Sequence, residues 1–451
     1  MALGTIRTIL GVPELRKRIG WTFLLLFVYC LGSLIPLPGI DLAVYSSQMG
    51  AFQNSAMGKV FGFANILSGG FMDRFSIFSM GIMPYISASI IFQILTKVVP
   101  VLERMSKEGD GGRRRINKWM RISTVGVSFI QGLTYAYTLK QQHTNGTPFI
   151  NGDPTFLHFI LPTVLSWTAG TMFLMWLGDQ ISEYGVGNGI SMIIMAGILH
   201  RAPSVIEELL IQVNAGTFTY ARVGVLLALY VFMVVGIVFV TQAQRRIPMQ
   251  SARQVRGRLA VSSQKTYFPL KLNAAGVIPV IFASALLTFP AGIAQLVCQW
   301  NGWSKENWFI DMLSREGGIA YMVLYSGLIF VFTYFYTAMV FNPTEIADNL
   351  KQHGAFIPGI RPGKNTAEYI EKVMNRVTFA GAFFLAFISL VPVVVQEQLH
   401  VPPLVANFLG GTSLLIVVGV GLDLVQKIES HLLLRQYKGF LGGASPIRGR
   451  N

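Results

Sequence analysis

Residues 75–96 read FSIFSMGIMPYISASIIFQILT and hold no Asp, Glu, Lys or Arg. A helix that crosses the hydrocarbon core of a bilayer needs about 20 mainly apolar residues, and this stretch is long enough. Nine more segments share the property or come close: 20–38, 122–139, 156–177, 186–200, 223–243, 274–298, 319–341, 377–396 and 404–422. None of the ten carries an Asp, Glu, Lys or Arg. The fifth in chain order, 186–200, is short and contains glycine, so hydropathy alone leaves it open as a span, a buried helix or a re-entrant piece. Composition agrees with a membrane setting. Hydrophobic residues make up 52% of the 451 and charged residues 13%, whereas soluble domains carry about 25% charged residues. So few charges cannot coat a soluble globule of this size. The expected fold class is therefore an all-α polytopic membrane protein with ten transmembrane helices.

The distribution of basic residues gives the orientation. On one side lie the N-terminal segment, the loops after the second, sixth and eighth spans, and the C-terminal tail, with 29 of the 36 Lys and Arg. Basic residues accumulate in cytoplasmic loops, so both termini are expected in the cytoplasm. The basic stretch Arg7, Arg16, Lys17, Arg18 leads straight into the first span and lacks a small-residue cleavage site, which reads as a retained first span. No Arg- and Ser-rich transit segment precedes it, which favours a bacterial or organelle-encoded protein. Cys30 and Cys298 sit in apolar segments and read as small core residues.

Absent chemistry narrows the function. Coupled transporters and pumps place ionisable groups within their spans, and these spans hold no Asp, Glu, Lys or Arg; their two histidines, His158 and His200, lie near predicted ends. No phosphate-binding Gly-Lys-Ser/Thr loop, metal-ligand spacing or nucleophile motif is present, so neither an enzyme nor a cofactor is expected. A pore, an insertase or a scaffold remains. The loops at about 244–273 and 342–376 carry Pro, Gly and Arg at intervals, as in Arg245-Arg246-Ile247-Pro248 and residues 357–363, IPGIRPG. Such segments present basic knuckles to an anionic partner, and ribosomal RNA and an acidic protein surface fit equally well. Residues 61–75, FGFANILSGGFMDRF, are moderately apolar and interrupted by Gly69-Gly70. A plugging element and a surface amphipathic helix are both open readings.

Motifs along the whole chain resemble one family. They include Gly69-Gly70 with residues 76–93, residues 108–113 (EGDGGR), 176–181 (WLGDQI) into 187–191 (GNGIS), and Arg245-Arg246-Ile247-Pro248. They continue through 269–273 (PLKLN), 276–284 (GVIPVIFAS), 341–343 (FNP), 357–363 and 410–418 (GGTSLLIVV), in family order and spacing. Together they resemble the SecY family, the channel-forming subunits of the Sec protein translocon.

The resemblance implies two pseudo-symmetric, inverted halves, spans 1–5 (residues 1–201) and 6–10 (202–424), around a central hourglass pore, with 425–451 as a cytoplasmic tail. It implies an apolar pore ring of Ile82, Ile86, Ile190, Ile194, Ile281 and Ile416. An isoleucine in a membrane helix is ordinarily a packing residue, and only the resemblance gives these six a role. It implies a plug over Phe63, Ala64, Asn65, Ile66, Leu67, Ser68, Gly69, Gly70, Phe71, Met72, Asp73 and Arg74. A lateral gate would lie between spans 2–3 and 7–8, with Ser87, Gln93, Gln131 and Asn273 near its seam. Docking would use Arg245, Arg246, Arg256, Arg258 and Arg361. Where the family often has two adjacent basic residues at a loop tip, this chain has Arg258 followed by Leu259. Implied partners are SecE and SecG, the SecA motor, the ribosome, signal peptides and nascent chains, and the lipid bilayer, with no small-molecule substrate. The implied location is the bacterial plasma membrane, with a thylakoid membrane as a narrower alternative. The competing functions are a small-solute secondary transporter and a non-conducting assembly scaffold.

Overall fold

The computed structural model describes residues 12–38, 65, 68–141, 143–144, 147–148, 156–216, 218–251, 255–256, 259–260, 266–284, 286–287, 318–399 and 401–442. Its helices are α1 (Pro13–Gly32), α2 (Met83–Val98), α3 (Pro100–Lys107), α4 (Asp110–Gln141), α5 (Leu161–Tyr184), α6 (Gly189–His200) and α7 (Ala202–Asn214). They continue as α8 (Tyr220–Gln242), α9 (Ile319–Val340), α10 (Pro343–Gln352), α11 (Lys364–Leu399), α12 (Pro403–Leu409) and α13 (Gly411–Gly442). Residues 278–284 are helical as well. Proline stands in the first turn of α1, α2, α3, α5, α10 and α12. At a free helix start its missing N–H costs nothing, because no intrahelical acceptor exists for that position; α5 is the exception, since it continues the π-helical turn Phe156–Ile160. α6 starts differently: the Asn188 side chain accepts a hydrogen bond from the Ile190 N–H at 3.1 Å.

Among the described residues, six helical stretches are long and apolar enough to cross a membrane: 156–184, 189–214, 220–242, 319–352, 364–396 and 404–433. α2 and α3 would make a seventh, but the chain bends by 96° between them. Among the described residues the other expected spans do not pass this test, so the count of ten stays an expectation. α4 contains expected span 3, with basic residues in its N-terminal turns, whereas α1 covers only 20–32 of expected span 1: residues 33–38 are not helical, and Pro36 is bridged to Ser76. The second span differs from expectation at its start. Residues 75–82 are turns, and the helix begins only at Met83. The hydroxyl of Ser79 bonds back to the carbonyls of Ser76 and Phe71 at 2.7 and 3.0 Å, and Gly81 takes a positive φ of 56°. The short fifth span is also longer than its apolar core, because α7 follows α6 after the single residue Arg201. Of expected span 7, residues from 288 to 298 lie outside the described residues.

The chain forms two compact units, Met1–Glu207 with Val420–Asn451, and Glu208–Gly419. In the first, α1, α2, α4, α5 and α6 pack on one another, with Tyr29, Leu174, Leu177, Ile181 and Ile193 nearly or fully buried at the centre. In the second, α8, residues 280–287, α9, α11 and the start of α13 share a core around Ile237, Val280, Ile329 and Leu385.

The loops are not purely irregular. In the second unit, strand β3 (Gln244–Ser251) pairs antiparallel with β6 (Thr266–Lys271) and with β7 (Ala355–Phe356). Between them β4 (Val255–Arg256) and β5 (Leu259–Ala260) form a separate hairpin, and β1 (His143–Thr144) and β2 (Thr147–Pro148) form another in the first unit. The two basic loops of the second unit, read from sequence as basic knuckles, therefore share one three-stranded sheet. Ile247, Leu270, Ile357 and Ile370 form an apolar core beneath it.

Candidate functional site

The best-defined constellation lies around the segment expected to act as a plug. Of its twelve residues, Asn65 and Ser68 to Arg74 are described, and Phe63, Ala64, Ile66 and Leu67 lie outside the described residues. Phe71–Arg74 form one 3₁₀ turn. Asn65 organises the segment. Its side-chain oxygen accepts from the Met72 N–H at 3.2 Å, its carbonyl from the Gly70 N–H at 2.9 Å, and its amide donates to Asp73.

The seat of this segment is built by α1 and α6. The Tyr29 hydroxyl donates to the Ser68 carbonyl at 3.2 Å, and its ring packs on Phe71 with centroids 4.9 Å apart. Phe71 also meets His200 edge-on. Gly69, at φ +79°, lies so close to α6 that an added Cβ would be 2.6 Å from the Gly197 Cα. Beyond α6, Arg201 donates from Nη2 to Asp73 Oδ2 at 2.9 Å, with 13% and 26% of the two side chains exposed. Burial pushes the Asp73 carboxyl up from its ordinary value, and Arg201 and then Asn65 oppose that rise. Tyr29, Gly197 and Arg201 were not candidates from sequence. The only signal for them was Gly69-Gly70, which announces close approach without naming the partner.

The ring residues divide between the units. Ile82 precedes α2, and its carbonyl accepts the Ile86 N–H at 3.0 Å. Ile82, Ile86 and Ile190 belong to one apolar cluster together with Phe71 of the expected plug. Ile194, one turn after Ile190, is buried. In the second unit Ile281 and Ile416 are buried beside Val280 and Leu415 of that unit's core. The described geometry thus brings three of the six together, in the first unit.

The expected gate residues bond locally where they bond at all. Ser87 donates to the Met83 carbonyl of its own helix at 3.0 Å, and Gln93 Nε2 to Ser89 Oγ at 3.1 Å. The Gln93 Oε1 and Asn273 Oδ1 atoms are buried with no hydrogen-bond partner among the described residues, and Gln131 is buried. For the docking residues, Arg245 and Arg246 are exposed on β3 opposite Leu270 and Pro269. Arg361 is exposed, and its carbonyl accepts from the Thr366 hydroxyl. These three arginines rise from the same sheet-and-core body. Arg256 lies in β4 opposite Leu259, and Arg258 lies outside the described residues. Among the described residues no cluster of His, Cys, Asp and Glu is suited to a metal ion.

Comparison with known proteins gives consistent matches. A SecY family model matches residues 76–425. The protein translocase subunit SecY of Thermotoga maritima is 41% identical over 441 residues, which cover 97% of each chain. That of Escherichia coli strain K12 is 43% identical over 438 residues, 96% of each chain. Among solved structures, a protein-conducting channel superposes with a TM-score of 0.65 at 16% identity, over 96% of this chain and 95% of that one. The channel in a canine ribosome-channel complex from the endoplasmic reticulum gives 0.62 at 15% identity, over the same shares.

Proposed function

Because the chain belongs to the SecY family and is a channel subunit of the Sec translocon, we propose that it is a passive conduit for unfolded chains whose resting seal is apolar. It is a multi-pass membrane protein of protein transport. In the proposed arrangement ten spans form two inverted halves, about 1–201 and 202–424, with both termini in the bacterial cytoplasm. The six isoleucines line the waist between the halves. Branched aliphatic side chains touch a passing chain without pairing with it, so the pore holds no substrate sequence tightly. A narrow apolar waist also resists wetting, which blocks ions at rest.

The observation that carries this reading is the shared cluster of Phe71 with Ile82, Ile86 and Ile190. It supports packing of the proposed plug segment against the ring candidates of the N-terminal half. Energy comes from partners: SecA drives secretion and ribosomes feed membrane proteins, while SecE and SecG complete the complex. The exposed Arg245, Arg246 and Arg361 around one sheet and its apolar core support a docking face for anionic surfaces. Ribosome docking is also in keeping with the canine channel's ribosome complex. Opening of spans 2–3 from 7–8 releases apolar segments sideways into lipid. Polar contacts near that seam are each worth about 0.6–2 kcal/mol, weak enough for a signal helix to displace. The buried Gln93 and Asn273 oxygens, unpartnered among the described residues, are the acceptors available to such contacts.

A chain arrested during export, with photo-crosslinking probes at Ile86 and Ile281, tests the conduit. Crosslinks at both positions are expected. Their absence, or uptake of small solutes by the purified complex in vesicles, would overturn the reading in favour of a scaffold or a solute transporter. Deleting residues 63–74 tests the plug, and raised resting ion conductance is expected.

A further inference from the structure

The plug segment carries an acidic residue, Asp73, into a largely buried place, where Arg201 forms an ion pair with it. We propose that Arg201, at the end of α6, is the latch that keeps the plug seated by compensating Asp73. This rests on the reading of residues 63–74 as the plug, and it adds what sets the closed state.

Several independent features are arranged around this pair. Arg201 reaches Asp73 by crossing the face of Gly70: a Cβ there would stand 2.9 Å from Arg201 Nε and 3.2 Å from its Cγ. Gly70 is thus the gap through which the guanidinium passes. Gly69 allows the segment to lie directly on the α6 backbone at Gly197, which brings the 3₁₀ turn within reach of the residue that follows α6. The Asp73 Oδ1 atom is taken by Asn65 and Oδ2 by Arg201, so both carboxylate oxygens have a donor. Arg74, the other nearby cation, is exposed and free to stay in water. His200 meets Phe71 and not the carboxylate. A buried carboxylate that loses its counter-charge is strongly disfavoured, whereas removing both charges of a pair is far less costly. A plug that swings into an aqueous space regains solvation for Asp73. Hence loss of Arg201 alone selectively penalises the seated plug. Arg201 and Asp73 act as positioning residues, because neither touches the translocating chain in this arrangement.

The test is resting ion conductance of the complete channel complex in planar bilayers, with the full-length chain. Arg201→Gln is expected to raise it about tenfold, which corresponds to about 1.4 kcal/mol in the seating equilibrium. Arg201→Lys, which keeps the charge, is expected to stay close to the unmodified protein. Adding Asp73→Asn to Arg201→Gln is expected to lower the conductance again, a rescue that a merely structural role for Arg201 does not predict. Asp73→Lys sets two cations face to face and is expected to leak more than Arg201→Gln; it serves as the test if Arg201→Gln fails to accumulate. An unchanged resting conductance in Arg201→Gln or in Asp73→Lys, or no rescue by Asp73→Asn, would overturn the latch. The deletion of 63–74 separates the two levels. If the deletion leaks and Arg201→Gln does not, the latch alone fails. If the deletion does not leak, the plug reading fails and takes the latch with it.

Discussion

Gly69→Ala is the sharpest perturbation of the resting seal, because two separate costs act on one added methyl group. The first is conformational. Gly69 has a φ of +79°, and an L-residue pays about 1–2 kcal/mol in the left-handed region. The second is steric. The new Cβ would lie 2.6 Å from both Cα and O of Gly197 and 2.8 Å from its carbonyl carbon. Carbon contacts are optimal at about 3.5–4.0 Å, and the obstacle is helix backbone, which has no rotamer to yield. The plug must therefore back away by about 1 Å. That displacement breaks the Tyr29 bond to the Ser68 carbonyl, already 3.2 Å long, at a further loss of about 1 kcal/mol. The sum is about 2–3 kcal/mol, a fall of about thirtyfold or more in the ratio of seated to unseated plug. The assay is single-channel recording of resting openings, alongside the amount of complex in the membrane. Gly216→Ala is the control. Gly216 has a similar φ of +72° with nothing within 4 Å of the added Cβ, so it pays the first cost and not the second, and leaves the plug alone. A Gly69→Ala channel as tight as the unmodified one, at normal abundance, would refute the reasoning that this contact seats the plug.

Three other outcomes are expected. Ile247→Ala hollows the core under the three-stranded sheet, at a cost of about 2–4 kcal/mol; motor-driven export into vesicles should fall while resting conductance stays unchanged. Arg361→Glu reverses an exposed charge on the same body, so binding of an anionic partner should weaken, most at low salt, as read by titration across ionic strengths. The third concerns pH. Burial raises the Asp73 carboxyl, and Arg201 is the first of the influences that lower it. In Arg201→Gln the upward shift is therefore larger. A group whose seated value lies above its released value takes up a proton preferentially when seated, so acidification from neutral should reduce the leak of Arg201→Gln. Arg201→Gln with Asp73→Asn retains His200 but no carboxylate, and its leak should not show this fall.

Hydropathy is a local property, and the sequence was legible wherever the structure is local. The segment expected at 223–243 is the helix Tyr220–Gln242, and that at 319–341 is Ile319–Val340. The second span was misplaced at its start because its boundary is set from a distance in space: Ser79 is tied to Phe71, and a Cβ on Gly81 would come within 3.1 Å of Ser68. No periodicity in 75–96 records those ties. The sheet was missed for a related reason. β3 contains Pro248, which weakens a strand reading, and its partner β7 lies about a hundred residues downstream. Ser87 shows a third limit. Its type and position suggested a bond across a helix seam, but a serine hydroxyl in a helix has its own carbonyl four residues back within reach, and Ser87 takes that of Met83.

The charge asymmetry that oriented the chain also explains why Arg201 was passed over. On the proposed orientation, seven basic residues lie on the outer side: Lys59, Arg74, Lys140, Arg201, Arg222, Lys305 and Arg315. The rule that puts basic residues inside treats such residues as background. Yet scarcity makes each of them informative, because a cation outside is not there to orient the chain. Arg222 stands 5.9 Å from the Phe218 ring, a contact of the cation–π kind. Arg201 is 13% exposed and ends on a carboxylate 128 residues earlier in the chain. A long-range, largely buried ion pair is weak evidence for stability, since desolvation offsets its attraction. It is better evidence for a choice between two states that differ in whether the pair is buried. The plug reading supplies such states, one with Asp73 against α6 and one with Asp73 in water. The same energetics that make the pair a poor source of net stability therefore suit it to holding a seal that an arriving signal sequence must break.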